Sequence, residues 1–213
     1  MRQRRLKDLE ERLAGFSDRL VDQPAEYKGT WRQLQPGAQR LFVELGCGKG
    51  RFLAAHGEAD PAALFIGVEG QRSVLLRACE TLQAREVENV RLVGAFLHSP
   101  EDFFAPGELD GIYINFCDPW PKARHAKRRL TNRRYLEAYR RVIRPGGFIE
   151  CKTDNNDLYA FTLEEGEACG LKIEEKTMDL HASACESRHY CTEYEEKFRR
   201  LGQKIHYVKF IAE

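Results

Sequence analysis

The sequence predicts an α/β fold: a doubly wound, mostly parallel seven-stranded sheet with helices on both faces. Three observations carry that prediction. Short apolar runs of strand length alternate with stretches of helical periodicity, the pattern of βαβ units and a parallel sheet. Several of the runs stop at a glycine or an acid. The groups Glu44, Glu69, Asp118 and Lys152-Thr153-Asp154 all fall at the carboxyl ends of expected strands, where sheets of this kind bind ligands.

Taken in order, residues 4–14 have the spacing of a short amphipathic helix. Residues 21–38 read as loop, with Pro24, Gly29, Pro36 and Gly37. Arg40-Leu41-Phe42-Val43-Glu44-Leu45 is a buried-strand run ending in glycines, and a helix is expected at residues 50–57. A second apolar run, residues 63–68, ends at Glu69. Val74, Leu75, Ala78 and Leu82 give residues 71–86 a helical period. Residues 90–93 and 109–115 are the third and fourth strands, the latter reaching Asp118. Tyr135, Leu136, Tyr139 and Val142 share one side of a helix over 131–143. Pro145-Gly146-Gly147 is expected to turn the chain into a strand at 148–152. A helix over 155–168 stops at Gly170, and strands at 171–177 and 205–211 complete the sheet.

A chain of 213 residues can bury one full core, so a single domain is expected over 1–213, with 1–38 as a basic N-terminal arm and loop. No run reaches the roughly 18 apolar residues of a membrane span, and no apolar stretch follows the charged N-terminus. A cytoplasmic protein without membrane contact is the expectation. Seven scattered cysteines with no C-x-x-C pair support neither a disulfide framework nor a metal site. The net charge of +1 hides an asymmetry. Ten Lys or Arg residues between 122 and 144 face one acid, Glu137. Such a segment attracts a polyanion locally, although charge runs elsewhere are often plain solvated faces.

Glu44-Leu45-Gly46-Cys47-Gly48-Lys49-Gly50 follows the first strand. Its glycines let the backbone turn tightly and come close to a ligand. The spacing is G-x-G-x-G, whereas the dinucleotide fingerprint is G-x-G-x-x-G. Glu44, two residues before the first glycine, suits a ligand's ammonium group, and Glu69 suits two ribose hydroxyls. The combination favours S-adenosylmethionine over a nicotinamide cofactor.

Asn115-Phe116-Cys117-Asp118-Pro119-Trp120-Pro121 ends the fourth strand, and the two prolines restrict how Asp118 and Trp120 can move. A fixed carboxylate beside an aromatic plane can hold a base by hydrogen bonding and stacking. The cations Lys122, Arg124, Lys127, Arg128 and Arg129, with His125, follow directly and read as a grip on phosphates. Methyl transfer to guanine N7 needs no general base, because that nitrogen has a lone pair and no proton to lose. Positioning then supplies much of the rate, and Asp118 offsets the charge that develops on the base.

At these residues the chain closely resembles the bacterial tRNA (guanine-N7)-methyltransferases, which methylate a variable-loop guanine. The likeness runs through 24–29, 44–50, 66–69, 115–131, 152–155, 179–181 and 192–198. It implies a Rossmann-like class I methyltransferase fold, S-adenosylmethionine as cofactor and tRNA as partner. Residues matching Glu44 and Glu69 then contact the cofactor, and the one matching Asp118 serves cofactor and catalysis. Those matching Lys122, Asp154 and Thr192-Glu193-Tyr194-Glu195 bind substrate, and the stretch matching Arg124 to Arg129 meets RNA. Without the resemblance, Thr192 to Glu195 reads as a solvated helix start with a capping box.

One departure stands out. Where the family places an Asp-Ala pair after the third strand, this chain has Gly94-Ala95-Phe96-Leu97. Backbone groups near Ala95 and Phe96 must then meet the adenine, with Phe96 packing on the ring. Two other readings stay open: an amino-group base methyltransferase, and a non-catalytic tRNA-binding protein. Monomer and homodimer are equally compatible with the sequence.

Overall fold

A computed structural model describes residues 8–97, 99–185 and 192–213, together with the backbone but not the side chains of Glu193, Tyr194 and Lys197. The N-terminal cations Arg2, Arg4 and Arg5 lie outside the described residues.

The strands are β1 (Arg40–Leu45), β2 (Ala63–Val68), β3 (Val90–Val93), β4 (Leu109–Asn115), β5 (Ile143–Thr153), β6 (Lys172–Thr177) and β7 (His206–Ile211). They form one sheet in the order β3-β2-β1-β4-β5-β7-β6. All neighbours are parallel except β7, which is antiparallel to both β5 and β6. The order in which successive strands are added reverses between β1 and β4, which are themselves parallel. That reversal opens a crevice beyond the strand ends, the binding place in doubly wound sheets.

The helices are α1 (Leu9–Ala14), α2 (Arg51–Ala59), α3 (Arg72–Ala84), α4 (Arg133–Val142), α5 (Asn156–Ala168) and α6 (Glu193–Arg200). Alternation along β1 explains how they divide. Leu41, Val43 and Leu45 enter a core shared with Tyr135, Leu136 and Tyr139 of α4 and Tyr159 of α5. Phe42 points the other way, among Phe52 and Leu53 of α2, Leu75 and Leu76 of α3, and Leu13 of α1. Glu44, at even parity, therefore ends on the α2 face.

Two stretches depart from the sequence-based expectation. Residues 21–38 are not open loop: they contain short 3-10 helices at Pro24–Tyr27 and Trp31–Leu34. Trp31 is fully buried and donates from its indole to the Phe103 carbonyl at 2.8 Å. Glu108 fastens this segment by accepting from the amides of Gly29 and Trp31. Pro145-Gly146-Gly147 is not a turn before a strand but part of β5. Gly146 N donates to Ala212 O at 2.7 Å and Ala212 N to Gly147 O at 2.9 Å, so pairing with the C-terminal segment draws the stretch into the sheet. The cost appears as an irregular register between Leu109 and Gly111, with Gly146 at φ 75°.

Candidate active site

At the β1/β4 reversal lies a cavity of about 660 Å³. Its floor is the loop after β1. Gly46, Gly48 and Gly50 have φ of 75°, 56° and 74°, which only glycine adopts without strain. A side chain added at Gly46 or Gly48 would meet nothing within 4 Å, so both face open space, and both line the cavity. Gly50 does not line the cavity; it ends the loop behind the wall, 3.2 Å from Ala78 Cβ by the same test.

Glu44 stands at the bottom, 2% exposed. Its Oε1 accepts from Asn115 Nδ2 at 2.8 Å, while its Oε2 is buried with no hydrogen-bond partner among the described residues. An unsatisfied buried polar atom costs roughly 1–3 kcal/mol, so a polar partner arriving from the cavity is favoured there. Burial pushes the Glu44 carboxyl up to about 8; the Asn115 hydrogen bond and the Lys152 charge act the other way. Asn115 is a site residue that sequence reasoning did not single out. Its signal was parity: two residues past Tyr113, which pairs with Glu44 across β1 and β4.

Glu69 leaves β2 with its carboxylate held by two amides, Gly48 N at 3.2 Å and Gln71 N at 2.8 Å. Each oxygen keeps a lone pair for a further donor. Burial raises this carboxyl, the amides counter it, and the charge of Asp118 adds to the rise. The two acids therefore share one electrostatic space. Beyond Glu69 the wall continues as Gly70, Gln71, Val74, Ala95, Phe96 and Leu97, with no carboxylate. Phe96 is 70% exposed, and its ring fills the space a Gly70 side chain would need.

Asp118 is exposed to the cavity from a strained corner. Phe116 and Trp120 on either side have φ of 51° and 41°. For bulky residues this is strain of about 1–3 kcal/mol each, which persists only where the surroundings enforce it. Phe116 is held by its amide on Lys152 O and by stacking against Phe198 of α6 at 6.1 Å. Trp120 meets the His125 ring edge-on at 5.7 Å and carries the Arg128 guanidinium 4.9 Å over its face.

The cation run divides on folding. It forms a 3-10 helix, Ala123–Arg128. Lys122, Arg124, Lys127 and Arg128 are exposed, and Arg128 lines the cavity. Arg129 is 9% exposed and bonds to the corner's own carbonyls, at 2.9 Å from Pro119 O and 3.2 Å from Trp120 O. Arg134 and Tyr135 of α4, which sequence reasoning passed over, also line the cavity, with the Arg134 guanidinium 4.5 Å over the Tyr135 ring.

The capping box at the start of α6 forms as its sequence predicts, but it is not solvated. Thr192 and Glu195 are 8% and 1% exposed. The reason is an ion pair: Lys152 Nζ, at the end of β5, lies 3.2 Å from Glu195 Oε2. His181 Nε2 approaches Glu195 Oε1 at 3.7 Å. Thr192 reaches the cavity wall; Glu195 stands behind it. The side chains of Glu193 and Tyr194 lie outside the described residues. Asp154 is exposed past the end of β5 and does not line the cavity.

A family model described as "Putative methyltransferase" matches residues 38–208, which takes in every strand from β1 to β6 and the first half of β7. The tRNA (guanine-N(7)-)-methyltransferase of Lachnoclostridium phytofermentans is 40% identical over 190 residues, 89% of each chain. That of Bacillus subtilis is 38% identical over 206 residues, 97% of this chain and 96% of its own. The chain belongs to the tRNA (guanine-N7)-methyltransferase family. Among solved structures, the 16S rRNA methyltransferase KamB aligns with a TM-score of 0.63 at 11% identity, covering 87% of this chain and 94% of its own. The 16S rRNA (adenine(1408)-N(1))-methyltransferase of Catenulisporales acidiphilia aligns at 0.55 and 20% identity, covering 90% and 92%. These likenesses show the methyltransferase fold alone. Within this member of the family, Glu44, Gly46, Gly48, Glu69, Ala95, Phe96, Asp118, Arg128 and Thr192 come together on one cavity. Gly50, Lys122, Arg124, His125, Lys127, Arg129, Asp154 and Glu195 stand off its wall. No helix among the described residues is long and apolar enough to cross a membrane.

Proposed function

We propose that the protein transfers a methyl group from S-adenosylmethionine to N7 of a guanine in the variable loop of tRNA, in the cytoplasm. The observation that carries this reading is the buried Glu44 oxygen, without a partner among the described residues, in a cavity that the Asp118 corner and Arg128 also line. Bound S-adenosylmethionine supplies an electrophilic methyl on a sulfonium. Glu44 takes its ammonium group, Glu69 its ribose hydroxyls, and Phe96 the face of its adenine. Asp118 faces the purine, where the positive charge arrives once N7 has used its lone pair, and so stabilises the transition state more than the ground state. The exposed cations Lys122, Arg124, Lys127 and Arg128 hold phosphates. Incubating the protein with unmodified tRNA and methyl-labelled cofactor tests the reading. The label should appear in N7-methylguanine after nuclease digestion; label in an N6- or N2-methylated base supports the amino-group alternative instead.

Two expectations concern the cofactor. In the free protein below about pH 8, Glu44 holds its proton, because burial raises its carboxyl. Binding an ammonium needs the carboxylate, so cofactor binding releases a proton and tightens as pH rises, by up to about tenfold per unit between about pH 6 and about pH 7.5. The same raised carboxyl stabilises the unliganded fold at low pH, a contribution lost as pH climbs from 4.5 through about 8. Calorimetry in buffers of different ionisation heat should find the proton release in the wild type and none in Glu44→Gln. Phe96→Ala should weaken the cofactor about 10- to 100-fold, the worth of one base–aromatic stack, with Phe96→Tyr near wild type. Equal dissociation constants for all three proteins would take Phe96 out of the site.

A further inference from the structure

We infer that Arg129 is a positioning residue for the Asp118 corner and not a contact for tRNA phosphate. The inference rests on the methyl-transfer reading above for its rate measurement, but not for its geometry.

The corner has an unusual problem. Pro119 and Pro121 have no amide hydrogen, so the backbone cannot close the turn with its own donors at those positions. Its carbonyls need donors from elsewhere. Arg129 supplies them: Nε donates to Pro119 O at 2.9 Å and Nη2 to Trp120 O at 3.2 Å. The guanidinium face lies 4.3 Å over the ring of Phe161 on α5, and the Arg129 amide donates to Ala126 O at 3.1 Å. The side chain is thus committed along its Nε–Nη2 edge and on one face, and is 9% exposed. Its burial leaves little of the guanidinium open to a phosphate.

Those two carbonyls belong to the residues directly after Asp118, one of them being Trp120 at φ 41°. A left-handed tryptophan is held only if something outweighs the strain. The rigid fork of a guanidinium matches two successive carbonyls; the single ammonium of lysine does not span both. Arg128, one residue earlier, is its opposite: exposed, on the cavity wall, with its guanidinium over the Trp120 ring rather than under the Trp120 backbone. Two adjacent arginines therefore grip the same tryptophan from different sides, one for structure and one facing the substrate.

The test compares Arg129→Ala, Arg129→Lys and Arg128→Ala. Arg129→Ala should lower the single-turnover rate at saturating tRNA about 100-fold, the penalty for a misplaced reacting group. Its tRNA affinity should keep the wild-type salt slope. Arg128→Ala should reduce that slope by about one unit, as a lost phosphate contact does. Millimolar guanidinium should restore part of the Arg129→Ala rate, which a general loss of stability would not allow. Of the two tryptophans, Trp31 is fully buried, so acrylamide quenching reports on Trp120. It should rise in Arg129→Ala and stand between the two in Arg129→Lys, which also serves if the alanine variant does not fold. A salt slope lowered by about one unit in Arg129→Ala, with rate and quenching unchanged, would overturn the proposal. Quenching needs no substrate, so a wild type inactive on tRNA sinks the methylation reading alone.

Discussion

Asp118→Ala should lower turnover by about 10²- to 10³-fold, the usual loss when a pre-aimed group that stabilises transition-state charge is removed. The fold should survive, because Asp118 is exposed and surface changes cost within about 0.5 kcal/mol. The loss should fall on kcat more than on KM for tRNA, since the base becomes cationic only as the methyl arrives. Asp118→Asn separates charge from shape: it keeps the volume and loses the charge, and should be nearly as slow as alanine. Single-turnover rates with wild-type melting temperatures would establish the role. A turnover within a few-fold of wild type in either variant would remove Asp118 from the chemistry.

The largest effect on stability is expected at Lys152. Its side chain is 1% exposed and that of its partner Glu195 is 2% exposed, 3.2 Å apart. Lys152→Met leaves the Glu195 carboxylate buried without its cation, which costs about 3–5 kcal/mol. In a chain of this length that lowers the melting temperature by roughly 6–20 °C. The double variant Lys152→Met with Glu195→Leu should recover all but about 1 kcal/mol, the remainder being the lost helix cap. Thermal unfolding of the two variants checks this. Equal destabilisation in both would mean that the lysine acts by packing on Phe52, whose ring lies 5.5 Å away. The pair ties the end of β5, next to the cavity-lining Asn115, to the start of α6, which walls the cavity with Thr192.

How much of this was legible in the sequence depends on whether the controlling contacts are local. The loop from Glu44 to Gly50 was legible because strand, turn and helix start are consecutive there. So was Asp118, since an apolar strand ending in Asp-Pro-Trp-Pro is a local statement. The Lys152–Glu195 pair was not, because its partners are 43 residues apart and meet only once α6 packs back over the end of β5. Arg129 could not be told from Arg128 in a run of cations, as only the position of Phe161 decides which guanidinium turns inward. The expected turn at Pro145 to Gly147 failed for a similar reason: the hydrogen bonds that straighten it come from Ala212. Local composition places the reactive groups, while distant segments decide which charges are buried.

The position of β7 has a consequence for how the molecule is made. It follows every other strand in chain order yet lies inside the sheet, between β5 and β6. During synthesis, β1 to β4 can assemble the cofactor half as they emerge. β5 meanwhile presents a bare edge, and β6 has no neighbour until residues 206–211 arrive. Thr177↔Tyr207 and Lys152↔Tyr207 show one late residue closing both gaps at once. A nascent chain halted before Tyr207 therefore exposes an unpaired apolar edge, the kind of surface that chaperones bind and that aggregates when left uncovered.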